Sequence, residues 1–385
     1  MTPLAAPEAT RPPQRPTRSL GRRAFAALSS PQLAIALLIS VLVCCVIGVT
    51  VIKGERAGVL IFNAPWFNGL LVLLAVSSGL TFFVRIWGRK LTLISVGMIV
   101  FHVCFLSMLG GVVYNSLFHF NGLMRLTEGE TLPNRDPASF DLAETGRFFD
   151  YARLRGETTL VRMHRGFKVD GQDKRAAYEI TVGEAAGKTT STIYMTQNLD
   201  HDAVRYLVSK EGYSIGVILQ DKQGRELNAT MVPLQSLPTG KETFLYTTGT
   251  AQEPASFLFP PPPAPPALLL EARYVPDPKL DRSGQVEFFT RPASEAAVSP
   301  VRSGKVAIGQ SFDAGDYLVQ AGEIRYWVGI NLRHDPGLTT ILASLWAGLG
   351  GMTMTFIGRI LQDAKRGKRG ASDQKPDAAA SGEHS

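Results

Sequence analysis

Four apolar stretches of membrane-spanning length bracket one long polar segment, at 32–51, 66–86, 92–116 and 337–361. Each runs to about 20 residues or more, which at about 1.5 Å rise per residue matches a hydrocarbon core about 30 Å thick, so each reads as a spanning helix. Residues 117–336 then form one folded domain on a single side of the membrane. The expected fold class is a membrane α-helical part of four spans plus a large extracytoplasmic all-β domain, sandwich-like in form.

Charge sets the side. Of the 40 Lys and Arg residues, 14 fall at three places: the N-terminal tail (Arg11, Arg15, Arg18, Arg22, Arg23), the hinge between the second and third spans (Arg85, Arg89, Lys90) and the C-terminal end (Arg359, Lys365, Arg366, Lys368, Arg369, Lys375). With four spans these share one face, and the positive-inside rule makes that face cytoplasmic. The 52–65 loop and the 117–336 segment fall outside, and both termini inside. The large segment carries 24 basic and 27 acidic residues, so the net charge of +7 belongs to the cytoplasmic edges. That distribution gives no support to a nucleic-acid partner. The basic edges read as topology determinants that attract anionic membrane lipids. The first stretch reads as a retained signal anchor, because no small-x-small cleavage site follows it and two further spans come at once.

All three cysteines, Cys44, Cys45 and Cys104, lie inside the apolar stretches, and no C-x-x-C occurs. The outward domain therefore offers neither disulfide nor redox dithiol, and the thiols read as small apolar packing residues.

Within 117–336, β-rich runs recur at 158–162, 178–182, 190–195, 213–220, 243–247, 286–290 and 317–320. Turn signals such as Asp221-Lys222-Gln223-Gly224 and Ala314-Gly315-Asp316 separate them. The run Pro260–Pro266 predicts extended polyproline II, either a stiff connector dividing the domain into two lobes or a surface strap. The expected organisation is a basic tail at 1–30, three spans within 31–116, the β-rich domain at 117–336, a fourth span at 337–361 and a disordered tail at 362–385.

His102 is the ionisable residue deepest in a span. It sits about ten residues into the third helix, on the order of 15 Å from its start and close to the bilayer midplane. A polar group there faces a bundle interior or a cofactor, so two readings stand: an inward histidine bonded to a neighbouring helix, or an axial ligand to haem iron. His119 is a weaker candidate near the interface, and His164 and His201 read as surface positions of the β domain. Glu128-Gly129-Glu130 and His334-Asp335-Pro336-Gly337 mark where the chain leaves and re-enters the membrane. Asp335 suits an N-cap and Pro336 a first helical turn. Trp66, Trp87, Trp327 and Trp346 are expected near the membrane edges as an interfacial belt. No phosphate-binding loop, Ser/His/Asp signature or paired Cys/His metal motif occurs, so no stand-alone catalytic motif is present.

Several short stretches resemble, in order, the ResB family of cytochrome c biogenesis proteins. They are LSSPQLAIALL (28–38), APWFNGLLVLLAV (64–76), FHVCFLSMLGG (101–111), NGLMRLTEGETL (121–132), GYSIGVILQDKQG (212–224) and HDPGLTTILASLWAGLGGM (334–352). Where the family often shows Asn and Cys late in the second span, this chain has Ser77, Ser78 and Thr81. The resemblance implies a bacterial inner-membrane subunit of a haem exporter and cytochrome c synthetase, with the large domain periplasmic. It implies that His102 is an axial ligand to haem b in transit, and that Glu128, Gly129, Glu130, Asp335, Pro336 and Gly337 lie near a subunit interface. The implied partners are a Trp-rich multispan membrane protein similar to ResC and CcsA, apocytochrome c, and a thioredoxin-like thiol reductant. The competing expectation is a non-enzymatic, membrane-anchored envelope scaffold or regulator.

Overall fold

The computed structural model describes residues 20–52, 54–86, 91–238, 244–249, 256–293 and 300–373. The chain divides into two units, Met1–Phe118 with Pro336–Ser385, and His119–Asp335.

The first unit contains four helices long and apolar enough to cross a membrane: Pro31–Thr50, Pro65–Ile86, Leu93–Phe118 and Leu338–Asp373. Pro31 begins the first of them, where its missing N–H costs nothing. Apolar side chains cover the helices all round. Ile35, Leu42 and Val46 point outward, while Leu37, Phe67, Leu71, Leu74 and Leu109 meet in a small inner core. Such a surface suits lipid and not water.

Small residues let the third and fourth spans approach closely. A Cβ on Gly97 would stand 2.5 Å from the Thr355 hydroxyl and 2.6 Å from the Gly351 carbonyl. This is the packing expected where lipid removes the hydrophobic drive and close van der Waals contact replaces it. The fourth helix runs on to Asp373, beyond the expected end at 361. Residues 362–373 hold Gln, Ala, Lys and Arg, good helix formers, and no proline, so the helix continues past the fall in hydropathy despite Gly367 and Gly370. The expected disordered tail is thus corrected over 362–373, and 374–385 lies outside the described residues, as do the tail positions Arg11, Arg15 and Arg18, the hinge positions Trp87, Arg89 and Lys90, and Lys375.

The second unit is all-β and antiparallel. Two 17-residue strands, Val204–Gln220 and Leu318–His334, pair from Arg205 with Arg333 to Gln220 with Leu318. At about 3.3 Å per residue each is about 55 Å long. They are central in a seven-stranded sheet that adds Glu226–Pro233 on one side and Phe120–Thr127 and Phe140–Thr145 on the other. A four-stranded sheet contains Glu157–Arg165, Ala176–Gly183 and Thr189–Ile193, and a six-stranded sheet is built around Leu268–Pro276 and Gly284–Pro292.

Two separate cores result. Leu160, Ile180 and Val182 of the four-stranded sheet pack with Tyr326, Val328, Ile330 and Leu332. Leu270, Val286 and Phe288 of the six-stranded sheet pack with Val217, Val319 and Ile324. Ile324, Tyr326 and Val328 alternate along one strand, so both cores lie on the same face of the long sheet. The sandwich-like expectation is met as two sandwiches sharing one sheet.

Pro260–Pro266 does not divide the lobes. It lies in the loop of a hairpin that pairs Phe257 with Leu270 and Phe259 with Leu268, closed by the Ala267 N–H donating to the Phe259 carbonyl at 2.8 Å. Apolar side chains on both arms enter one core, and that tertiary gain overrides the intrinsic extension of the proline run. The division into lobes falls across the long strands instead.

Candidate functional site

The third span places His102 against the second span. Its imidazole stacks on Phe82, with ring centroids 4.2 Å apart and an interplanar angle of 11°, and meets Phe101 edge to face at 5.3 Å. The Nδ1 atom lies 2.8 Å from the carbonyl oxygen of Met98, one turn back on the same helix. A carbonyl can only accept, so Nδ1 carries the hydrogen and, in the neutral ring, Nε2 keeps its lone pair. This is the arrangement by which a backbone acceptor fixes the tautomer and orientation of a metal-binding imidazole.

Around the ring lies a groove of about 370 Å³ formed by the first three spans. Ile35 and Leu38 come from the first, Ser78, Thr81 and Phe82 from the second, and Met98, Phe101 and Phe105 from the third. The wall is almost wholly apolar and aromatic. Its one unusual polar feature is Thr81, whose hydroxyl is buried without a hydrogen-bond partner. Ser77, on the same helix, donates to the Leu28 carbonyl at 2.9 Å and so braces the helix ahead of the first span.

Among the described residues no three His, Cys, Asp or Glu side chains gather as a metal site. A single imidazole in an apolar groove does not suit a bare ion. It suits a metal that arrives with most of its own ligands and needs one axial donor, which is the demand of a haem iron.

The remaining expected positions are not brought to this groove. Glu128 is only 7 % exposed, and its carboxylate accepts from the Met163 N–H at 2.8 Å and pairs with Arg282 at 3.0 Å. Met163 follows an irregularity in the strand register between Leu160 and Arg162, so Glu128 serves a backbone N–H displaced by that bulge. Gly129 takes φ +85°, and the Glu130 carboxylate accepts from the Thr127 N–H at 2.7 Å to close the turn. Glu128 is thus engaged within the β unit by a backbone N–H and an arginine, and Glu130 within its own turn.

Asp335 does not take the N-cap position. The last helix starts at Leu338, and the Gly337 carbonyl accepts from the Ile341 N–H at 3.0 Å, so Gly337 caps it while Asp335 pairs with Arg333 at 3.4 Å. Pro336 and Gly337 precede that helix, and the Gly337 N–H donates to Asn115 at 3.1 Å. His119 is buried at the start of the β unit, one residue past the third helix. His164 and His201 stand beside single carboxylates, Glu179 at 3.4 Å and Asp202 at 3.6 Å.

Two sequence readings missed what the structure makes of them. Trp327 belongs to no interfacial belt: it is 3 % exposed inside the β unit and donates to the Leu234 carbonyl at 2.8 Å. His334, read only as the first residue of its motif, has Nδ1 3.0 Å from the Ala203 carbonyl and a buried Nε2 without a partner. Neither a hydropathy profile nor residue spacing carries a signal for these, since both depend on strand pairing. Trp66 and Trp346 are exposed on helices. Comparison with protein-family models and with curated proteins finds no match for this chain.

Proposed function

We propose that this chain is a ResB-like subunit of a cytochrome c maturation complex in a bacterial inner membrane, contributing part of the path along which haem b is carried. The observation that supports the reading is the preset His102 imidazole, with Nδ1 on the Met98 carbonyl and Nε2 left to act as a donor beside an apolar, aromatic groove. In this reading His102 holds one axial position of the iron and a Trp-rich multispan partner holds the other. Phe82 restrains the ring against rotation, and the apolar walls keep competing water away from the donor nitrogen.

The positive-inside bias then puts the β unit outside the cytoplasm, where it positions apocytochrome c whose cysteines a thioredoxin-like reductant has kept as thiols. The cargo supplies the vinyl groups that become thioethers. No residue of this chain is assigned an acid-base role in that step.

The test is the reduced-haem absorbance of the detergent-solubilised full chain, with and without the multispan partner, for wild type and His102→Ala. A haem signal that requires both the partner and His102 is expected. A signal unchanged by His102→Ala, or no haem in a stable wild-type complex, overturns the reading. The second reading, a membrane-anchored scaffold, is favoured by the close Phe82–His102 stack, which a purely structural histidine would also make.

A further inference from the structure

Where the two cores of the β unit meet, the strand Val204–Gln220 carries Glu211 and Tyr213 along a cleft of about 150 Å³. Aromatic rings wall it. Tyr213 meets Tyr246 edge to face at 4.7 Å and lies 5.2 Å from Tyr326, while Phe244 stands 6.4 Å from Tyr246.

Its charges are unevenly matched. Arg165 at one end donates to the Tyr326 hydroxyl at 3.0 Å and to Asp281 at 3.1 Å, so its charge is compensated. Glu211 at the other end receives a hydrogen bond from the Tyr178 hydroxyl, and among the described residues no cation pairs with it. With Arg165, Arg282, Asp281, Glu128 and Glu211 counted together, two cations face three carboxylates and one negative charge is left over.

The hydroxyls of Tyr178, Tyr206, Tyr274 and Tyr326 all have partners within the protein. Those of Tyr213 and Tyr246 have none among the described residues, and both side chains line the cleft. Burial pushes the Tyr246 hydroxyl up, Tyr213 and Glu211 add to this and the Arg165 charge offsets only part of it, so the hydroxyl stays neutral at neutral pH. Cation–π geometry is already in use on the adjoining ring, where Arg165 and Arg282 lie 5.5 and 5.0 Å from the centre of Tyr326.

We propose that this cleft binds an organic cation, a guanidinium or alkylammonium head, held between the Tyr213, Tyr246 and Phe244 rings and neutralised by Glu211. An aromatic wall with one carboxylate at its lip is the recognised chemistry for such a group. A space of about 150 Å³ accepts a group about the size of one benzene ring, enough for a guanidinium or alkylammonium head. The inference uses only the β unit and is independent of the haem reading.

The head group can belong to a polypeptide side chain or to a free small cation. The test is calorimetric titration of the detergent-solubilised full chain with acetyl-Gly-Arg-Gly-amide, its neutral citrulline analogue and tetramethylammonium. At least one cation is expected to bind about tenfold more tightly than the citrulline peptide, and Glu211→Gln and Tyr246→Leu to weaken it by a similar factor. Preference for the arginine peptide identifies a polypeptide side chain, and preference for tetramethylammonium a free cation. Glu211 is exposed and Gln is nearly isosteric, so that variant decides the matter even if Tyr246→Leu does not fold. Equal affinity for citrulline, no binding of any cation below about 10 mM, or wild-type affinity in Glu211→Gln overturns the proposal.

Discussion

Glu128 and Arg282 are 154 residues apart in sequence and form an ion pair of 3.0 Å that joins the two lobes of the β unit. Glu128 begins the turn after the first strand of the long sheet, while Arg282 sits in the turn between two strands of the six-stranded sheet, with φ +56°. The same carboxylate accepts from backbone N–H groups of Met163 and Tyr326. One side chain therefore holds a strand bulge, a long strand and the opposite lobe.

Glu128→Ala removes that pin and leaves the buried N–H groups of Met163 and Tyr326 without an acceptor. The expected loss of stability is about 2–4 kcal/mol, read as a fall in the chemical-denaturation midpoint with unchanged slope. Glu128→Gln, which keeps one acceptor oxygen, should lose distinctly less. Equal stability of all three proteins would show that the lobes do not depend on this contact.

Asp281, next to Arg282, makes the junction sensitive to acid. Burial alone would push its carboxyl up, but hydrogen bonds from Tyr326 and Arg165 and the charges of Arg165 and Arg282 outweigh this and hold it below the usual carboxylate range. A depressed carboxyl contributes stability that is present above the unfolded value of about 3.9 and is lost as pH falls through the lower folded value. Thermal unfolding followed from pH 7 downward should therefore show a steeper fall below about pH 4 in wild type than in Asp281→Asn. Parallel curves for the two proteins would refute the assignment.

Gly97 and Gly110 lie on the same helix and predict opposite outcomes for one substitution. A methyl group at 97 meets the Thr355 hydroxyl at 2.5 Å and backbone of the fourth span, whereas at 110 it meets nothing within 4 Å. Gly97→Ala should cost about 1–3 kcal/mol by forcing the spans apart, whereas Gly110→Ala should stabilise the helix by about 0.5–1 kcal/mol. The yield of folded protein after graded heating in detergent distinguishes them. Similar behaviour would mean that the third and fourth spans tolerate separation.

The four spans were legible because lipid demands long uninterrupted apolar runs, and that demand is written locally in the sequence. Strands were legible where side chains alternate cleanly, as from Tyr178 to Val182. The lengths of the two long strands were not: Ser209-Lys210-Glu211 and Arg325 interrupt the pattern at the junction of the cores, where the register shifts between Val208 and Lys210. His102 was visible as a lone polar group in an apolar run, but its tautomer depends on a carbonyl one turn away and its stack on a different helix. The cleft at Tyr213 was invisible for a stronger reason, since its residues are spread from Met163 to Tyr326 over strands of all three large sheets and meet only in the folded β unit.

Trp327 and Gly212 supply a test of that shared sheet. They are opposite one another on the paired long strands, and a Cβ on Gly212 would stand 2.6 Å from the indole Nε1 that donates to Leu234. Trp327→Phe removes the donor and leaves the buried Leu234 carbonyl unpaired, for an expected cost of about 1–3 kcal/mol. Gly212→Ala displaces the same indole and should cost a comparable amount. Once the second ring is gone the added methyl has room, so Gly212→Ala should cost less in the Trp327→Phe background than in wild type. Denaturation midpoints of the four proteins close the cycle, and strict additivity would mean that the glycine is not there to make room for the indole.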